Sequence, residues 1–234
     1  MRLIPVLDLK DGVVVHAQRG QRESYQPIHS PLCPSADVYA VIDAFLQLHD
    51  FTVIYIADLN AITQQGDNQA LIHQVLLHYP MITFWLDAGY QSPDLAFADV
   101  ANYRPVLGSE CCTAEQLAAT KNALLSLDFS AHDEPLGEAQ LFSDSTLWSE
   151  QVIIMTLARV GSDMGADSDK LRHYQQRYPQ TAFIAAGGVR NIADVQQLQA
   201  MGINHVLVAS ALHTKAISKA DIVNLSATVN AVCD

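Results

Sequence analysis

The chain has 234 residues, of which 50% are hydrophobic and 16% are charged, so it holds ample apolar material for a sizeable core. Its formal net charge of −12 argues against a nucleic-acid partner, which needs a basic stripe. No apolar stretch approaches the roughly 20 residues of a membrane span, and an early carboxylate at Asp8 does not suit a secretory signal. We therefore expect a cytoplasmic protein without a membrane partner.

Eight short runs rich in Val, Ile and Leu alternate with helical patterns along the chain. The runs predict strands over residues 3–8, 52–58, 82–87, 105–108, 124–128, 152–156, 182–186 and 205–209. They are hydrophobic almost throughout, as in a parallel sheet buried on both faces. Helical spacing predicts helices over residues 36–48, 68–78, 115–122, 169–178 and 192–201.

The two halves of this series resemble each other. Residues 53–60 match 152–159, and residues 82–89 match 181–188, both at an offset of 99 residues. Eight strand–helix units in a duplicated chain predict an α/β fold, a single (β/α)8 TIM barrel over residues 1–234 built from two similar half-barrels. The half-barrels span roughly 1–122 and 123–234. An open doubly wound sheet is the alternative, but it does not need a duplicated half.

Each half carries an aspartate at the end of its first strand, Asp8 and Asp128. Strands 1 and 5 lie opposite each other in an eight-strand ring, so the two carboxylates should face each other across its mouth. Such a pair can give a proton at one atom and take one at another, as aldose–ketose isomerisation requires. One carboxyl must then stay protonated while the other is ionised. A helix cap or a lysine partner would explain one aspartate, but the symmetric pair favours a functional site.

Glycine-rich turns after strands 7 and 8 predict a seat for an anion. Residues 186–191 read AGGVRN and residues 208–212 read VASAL, and a helix is expected after each. Backbone N–H groups and helix N-termini favour phosphate, and barrels often use this position for it. Glycines also serve plain turns. Two long segments, 16–35 and 129–150, follow strands 1 and 5, where barrels keep lids and binding segments.

The cysteines and histidines do not predict a metal site. Cys33, Cys111, Cys112 and Cys233 show no CxxC spacing, and the nine histidines show no HExxH arrangement. We expect reduced thiols and neither zinc nor a disulfide framework.

Several ordered segments carry a family resemblance. They are residues 4–12 (IPVLDLKDG), 56–61 (IADLNA) with 66–68 (GDN), and 187–190 (GGVR) with Ala211 and Leu212. The chain resembles the histidine-biosynthesis barrels, and among them it is more similar to the phosphoribosyl isomerases (ProFAR isomerases) than to the cyclases. The resemblance runs from residue 1 to about residue 217.

The resemblance implies an isomerase that carries out an acid–base, Amadori-type rearrangement of a phosphorylated sugar-like small molecule. Asp8 and Asp128 match the acid and base of the family, and Thr156 matches a threonine near them. The family substrate has two phosphates, one held by each half-barrel. The resemblance implies no metal and no organic cofactor, and it leaves open whether this chain serves histidine biosynthesis or another pathway.

The sequence departs from the family pattern at the phosphate seats. The first-half glycine pair and arginine read AGYQ at 88–91, although Gly108 and Ser109 remain. In the second half Ala209 stands where a glycine is expected, and the Asp-Gly-Thr segment reads VGS at 160–162. A Cβ at such a position obstructs an approaching anion. We expect one phosphate in the second half and, near Gly89, a pocket that is empty or filled by Tyr90.

The candidate phosphate-binding residues are Arg19, Gly89, Gly108, Ser109, Gly161, Ser162, Gly187, Gly188, Arg190, Ala209 and Ser210. Four arginines follow strand ends and predict a locally positive face: Arg19, Arg22, Arg159 and Arg190.

Two other functions stay open. One is a paralogue that has changed pathway and acts on a singly phosphorylated cofactor precursor. The other is a noncatalytic ligand-binding or scaffold barrel, although a scaffold has no need of two symmetric aspartates. The oligomeric state is open.

Overall fold

Eight parallel strands close into a barrel in the computed structural model, which describes residues 1–89, 97, 99–162 and 164–230. The barrel strands are β1 (Arg2–Lys10), β3 (Val53–Asp58), β4 (Thr83–Asp87), β5 (Tyr103–Gly108), β6 (Leu124–Phe129), β7 (Gln151–Thr156), β8 (Ala182–Ala186) and β9 (His205–Val208). Each pairs in parallel with the next, and β9 pairs with β1 to close the ring. The predicted (β/α)8 barrel is confirmed.

Helices follow the strands and cover the outside of the barrel. In the described part of the chain they are α1 (Val38–Leu48), α2 (Leu59–Ile62), α3 (Gln69–His78), α4 (Ala114–Ala119), α5 (Ala139–Ser143), α6 (Ser168–Arg177), α7 (Ile192–Ala200), α8 (Ser210–His213) and α9 (Lys219–Asn230). The five predicted helices correspond to α1, α3, α4, α6 and α7. Polar side chains start several of them: Asp37 accepts the Ala40 N–H at α1, and Asn191 accepts two N–H groups at α7.

Strand residues alternate between two apolar layers. On β3, Tyr55 and Ala57 belong to the layer inside the barrel, whereas Ile54 and Ile56 pack outward against the helices. On β1 the same alternation points Ile4 into the barrel and, at the carboxyl end of the strand, Asp8 into the cavity. The lower barrel is therefore filled with apolar side chains, and polar ones meet at the top.

An additional strand, β2 (Val13–Val15), pairs antiparallel with the end of β1. The two strands are joined by Asp11 and Gly12, whose φ angles are 52° and 80°. A two-residue turn with positive φ at both positions matches the right-handed twist of a hairpin, and Asp-Gly is a preferred pair for it. This hairpin was not predicted from the sequence.

Side-chain amides fasten the hairpin turn to the segment after β3. Asn60 Oδ1 accepts the Asp11 N–H at 2.8 Å, and Asn68 Oδ1 accepts the Gly12 N–H at 2.9 Å. Asn68 is itself held by buried Asp58, which accepts its backbone N–H and its Nδ2, each at 2.7 Å. These contacts give a structural reason for the IADLNA and GDN segments.

The two long segments after β1 and β6 contain some regular structure. The first forms a short 3-10 turn at Arg22–Ser24, and the second contains α5 and a 3-10 turn at Ser145–Leu147. Among the described helices, none has the length and apolar character required to cross a membrane.

Candidate functional site

The carboxyl ends of the barrel strands surround a cavity of about 190 Å³. Asp8 on β1 and Asp128 on β6 both line it. Around the ring β6 is the fifth strand counted from β1, so the two aspartates stand on opposite strands. The structure thus brings the predicted pair to one cavity.

Two further carboxylates line this cavity, Asp87 at the end of β4 and Glu110 just after β5. Asp87 lies in the same register row as Asp8, because Ala57 of β3 pairs with both. A Cβ added at Gly108 would lie 2.8 Å from Asp128 Oδ2 and 3.6 Å from Asp87 Oδ2. Both carboxylates therefore point at the space that a side chain at position 108 would fill, which explains the glycine there.

Burial raises the pKa of all three aspartates by different amounts. The pKa of Asp8 rises to about 7, with Arg22 opposing the rise and Asp87 adding to it. The pKa of Asp87 rises to about 6, restrained by its hydrogen bond from Gly89 and increased by Glu110. Burial and the nearby Glu110 raise the pKa of Asp128 well above its usual value. Near pH 7 Asp87 is therefore mostly ionised and Asp8 is poised between its two states, whereas the buried surroundings of Asp128 favour its protonated form.

The Asp128 carboxyl is held by its neighbours. Ser126 Oγ donates to Oδ1 at 2.7 Å, and the Glu110 N–H donates to Oδ2 at 3.3 Å. The Asp128 N–H in turn donates to Ser109 Oγ at 2.9 Å. Ser109, a predicted phosphate ligand, is buried and supports the backbone of Asp128 here.

Arg22 brings the segment after β2 across the mouth. Its Nη1 donates to Glu110 Oε2 at 3.1 Å, and its Nη2 pairs with Oε1 of the same carboxylate. Lys10 Nζ donates to the Arg22 carbonyl oxygen at 2.9 Å. Two long-range contacts thus hold this segment beside the aspartates.

The second-half side of the cavity carries most of the predicted phosphate-binding residues. Those that line it are Gly161, Ser162, Gly187, Gly188, Ala209 and Ser210. Gly187 and Gly188 have φ of +92° and +86°, a region that L side chains rarely adopt. A Cβ at Gly188 would overlap the Gly165 carbonyl oxygen, and one at Gly161 would overlap that of Ala17. These glycines thus let backbone segments pack closely at the rim.

Three histidines line the same side of the cavity, and sequence reasoning missed them: His16, His29 and His213. His213 is buried, and burial together with His16 lowers its pKa to about 4. Its Nδ1 lies 3.3 Å from Ser30 Oγ. His213 is therefore a neutral imidazole at physiological pH. Sequence spacing gave no signal for the group, because the three residues come from distant parts of the chain.

Thr156 lies at the end of β7 but is not among the described residues that line the cavity. Its neighbour Met155 pairs with Asp128 in the sheet and takes the inward position. Thr156 Oγ1 donates to Asp167 Oδ2 and accepts from Lys170 Nζ, both at 3.2 Å. The structure thus places Thr156 with an ion pair at the start of α6.

Three of the four arginines expected on the active face are not among the described lining residues. Arg19 is exposed, and Arg159 Nη1 donates to the Met164 carbonyl oxygen at 3.0 Å. Arg190 Nη2 lies 2.7 Å from Asp194 Oδ1. The described residues that line the cavity include four carboxylates but, among arginines and lysines, only Arg22. The described lining is therefore acidic where a locally positive face was expected. Arg159 and Arg190 lie beside the second-half glycines, but their guanidinium groups bind the Gly165 carbonyl oxygen and Asp194.

The surroundings of Gly89 do not suit an anion. Its N–H donates to Asp87 Oδ1 at 3.1 Å, so this amide is already bound. The small cavity next to it, about 30 Å³, is bordered by Asp58 and Asp67. The prediction for Tyr90 lies outside the described residues.

Cys33, Cys111 and Cys112 are free thiols, and burial raises the pKa of Cys111 and Cys112 to about 12. Cys233 lies outside the described residues. No group of three or more His, Cys, Asp or Glu side chains in the described part of the chain could hold a metal ion.

Fold and site together define a (β/α)8 barrel with carboxylates on opposite strands and a glycine-lined rim in its second half. The family model described as "Histidine biosynthesis protein" matches residues 2–119 and 140–218, and the chain belongs to this family. The resemblance drawn from the sequence is confirmed.

Relatives agree with this assignment at modest identity. An uncharacterized protein of Methanocaldococcus jannaschii is 29% identical over 96% of this chain and 98% of its own length. A phosphoribosyl imidazole-4-carboxamide isomerase of Pectobacterium atrosepticum is 25% identical over 90% of this chain and 93% of its own. The isomerase of that name from Leuconostoc mesenteroides is 29% identical over 58% of this chain and 55% of its own.

Proposed function

We propose that this barrel is an isomerase-type enzyme that rearranges a phosphorylated sugar-like molecule by acid–base catalysis. The observation that carries the proposal is the cavity shared by Asp8 and Asp128 on opposite strands. Isomerases among the relatives support the reaction type, and their names describe phosphoribosyl compounds. The rearrangement moves hydrogen within one molecule and needs no external oxidant or reductant.

The surroundings of the two carboxyls support a division of roles. Asp128, whose pKa lies well above its usual value, is the general acid and gives its proton to the ring oxygen of an aldosylamine as the C1–O bond breaks. Asp8, with a pKa of about 7, is the base and takes the proton from C2. The resulting enaminol gains a proton at C1 and loses one from its hydroxyl, which gives the aminoketose. Thr156 contacts Asp167 and Lys170 and is given no step in this mechanism, so its orienting role stays a prediction.

The phosphate lies on the second-half rim in this proposal. Gly187, Gly188 and Ser210 line that side of the cavity; α7 begins at Ile192, shortly after the two glycines, and α8 begins at Ser210 itself. Gly161 and Ser162 face the same space from the turn after β7. Backbone N–H groups at such turns bind phosphate without a cationic side chain.

The buried carboxylates favour an enzyme over a noncatalytic scaffold. Burying ionisable groups lowers stability, and such groups cluster where their shifted pKa values are used. The cytoplasmic location and the single-domain division into half-barrels stay predictions.

The central test replaces each aspartate by its amide isostere. Asp8→Asn and Asp128→Asn should each lower kcat by roughly 10² to 10⁴, the contribution of a positioned proton-transfer group. The double variant should lose little more than either single one, since the reaction needs both transfers. Steady-state kinetics would measure this, first on the imidazole carboxamide substrate of the relatives and then on singly phosphorylated aminosugars.

Asp50→Asn is the matched control, because Asp50 is exposed and lies ahead of β3, at the opposite end of the barrel. It should keep full turnover. If wild type converts a substrate and both cavity variants convert it equally fast, the acid–base proposal fails.

A further inference from the structure

Asp87 stands at the end of β4, directly before residues 88 and 89, where the family resemblance places a phosphate-binding glycine pair. Trp85, two residues earlier on the same strand, belongs to the apolar layer inside the barrel. Asp87 shares that inward direction and lines the cavity. A carboxylate therefore occupies the end of the cavity where a first-half phosphate would lie.

Both oxygens of Asp87 are fixed by hydrogen bonds. Tyr55, buried on β3, donates its hydroxyl to Oδ2 at 3.1 Å, and the Gly89 N–H donates to Oδ1 at 3.1 Å. The backbone amide that could have bound an anion therefore binds this carboxylate. Tyr55 limits the rotation of the carboxylate, so its remaining lone pairs keep a constant direction.

Other acidic side chains near Asp87 add to the repulsion that an anion would meet there. Asp8 and Glu110 line the same cavity, and the guanidinium of Arg22 is paired with Glu110. A phosphate brought to the β4 end would meet like charge in a partly desolvated space, which is how a site rejects a wrong partner. A hydroxyl or ammonium group there would find hydrogen-bond acceptors.

We infer that Asp87 is a specificity-determining residue, with Tyr55 as its positioning residue, and that it selects a singly phosphorylated substrate. It accepts hydrogen bonds from the hydroxyl- or amine-bearing end of that substrate and rejects a second phosphate. The inference rests on the proposed function, because the remaining phosphate must lie at Gly187 and Gly188.

A matched pair of probes tests this by equilibrium binding, without turnover. Ribulose 5-phosphate and ribulose 1,5-bisphosphate differ by one phosphate, and isothermal titration calorimetry gives Kd for each. Wild type should bind the bisphosphate more weakly than the monophosphate by about tenfold or more, since like charges would be juxtaposed. Asp87→Asn keeps the shape and removes the charge, and it should remove most of that ratio.

Tyr55→Phe serves as the comparison variant. It keeps the charge at position 87, so the ratio should persist while the monophosphate binds more weakly. If Asp87→Asn does not fold, Asp87→Gly removes the same charge. The wild-type ratio should also shrink between about 10 mM and 500 mM NaCl, because salt screens the repulsion.

The outcomes separate the inference from the proposed function. A wild type that binds the bisphosphate as tightly as the monophosphate overturns the role of Asp87 and leaves the acid–base proposal intact. An unchanged ratio in a folded Asp87→Asn does the same. If neither probe binds, the proposed second-half phosphate seat is contradicted, and the inference about Asp87 fails with it.

Discussion

At the scale of single residues, Asp8 links the site to stability. Burial raises its pKa from 3.8 to about 7, so the folded chain holds a proton that the unfolded chain has released between these values. The stabilising effect of that proton is fully present below about pH 3.8 and is lost as the pH rises through 7.

We therefore expect the free energy of unfolding of wild type to fall, relative to Asp8→Asn, by about 2.5 kcal/mol between pH 5 and pH 8. Urea unfolding of both proteins at each pH would measure this difference. Arg22 and Asp87 interact with Asp8. The pH dependence that other titrating groups contribute is largely the same in wild type and Asp8→Asn, so it cancels when the two proteins are compared. Asp50→Asn, at an exposed site, should run parallel to wild type. Parallel curves for Asp8→Asn as well would contradict the raised pKa.

Single residues also show how far the sequence could predict this site. Asp8 and Asp128 were predicted because the two halves of the sequence are similar and each aspartate ends the first strand of its half. Asp87 could have been predicted, because it ends a predicted strand and its inward direction follows from alternation with Trp85. The family pattern pointed to the backbone of the neighbouring glycines, and the carboxylate was not considered. The inward direction of Met155, and hence the placement of Thr156, could not be read from a strand that is hydrophobic on both faces.

At the scale of elements, the segments after β2 and β7 support each other across the cavity. The Arg19 N–H donates to the Val160 carbonyl oxygen at 2.8 Å. Gly161 packs against the Ala17 carbonyl oxygen, and its φ is +59°. The two segments can meet only because residue 161 has no side chain.

Gly161→Ala should destabilise the protein by clearly more than the roughly 1 kcal/mol expected from a positive-φ alanine alone, because the backbone must move to admit the Cβ. Gly66→Ala is the matched control, since Gly66 has φ +95° and nothing lies within 4 Å of its added Cβ. Chemical denaturation of both variants gives the two free energies. Amide hydrogen exchange at Arg19 should also accelerate in Gly161→Ala. Equal destabilisation of the two variants would mean that the contact between the segments is loose.

Elements were predicted closely where the pattern is local. The bounds of α1, α3 and α7 lie within two residues of the predicted ones, because apolar spacing and polar caps mark them. The Asp11–Gly12 hairpin had a clear turn signal, but the strand preceding it was assigned an earlier end. The pairing of Arg22 with Glu110 joins residues 88 positions apart, and no local pattern reports such a contact.

At the scale of the whole molecule, the net charge of −12 and the acidic cavity act in the same direction. An anionic ligand approaches against this field and is held by backbone groups only at short range. Salt should weaken the repulsion more than the hydrogen bonds, because it acts mainly on separated, exposed charges.

The Kd of ribulose 5-phosphate should therefore stay constant or fall when NaCl is raised from about 10 mM to about 150 mM, where the Debye length shortens from roughly 30 Å to 8 Å. Calorimetric titration at several salt concentrations would show it, with heats from unphosphorylated ribulose as the blank. A Kd that rises with salt would instead indicate that a lysine or arginine side chain contacts the bound phosphate, and it would contradict this expectation.

Asp87 also bears on how this site could have arisen or could be lost. Codons for aspartate and glycine differ at their middle base, so a single point mutation exchanges them. A glycine at position 87 would remove the carboxylate and, in the same step, release the Gly89 amide that it now binds. One mutation would thus change both the charge and the hydrogen-bonding capacity at the β4 end of the cavity. If Asp87 sets the preference as proposed, a single base change alters it, while Ala88, Tyr90 and Gln91 still depart from the family pattern.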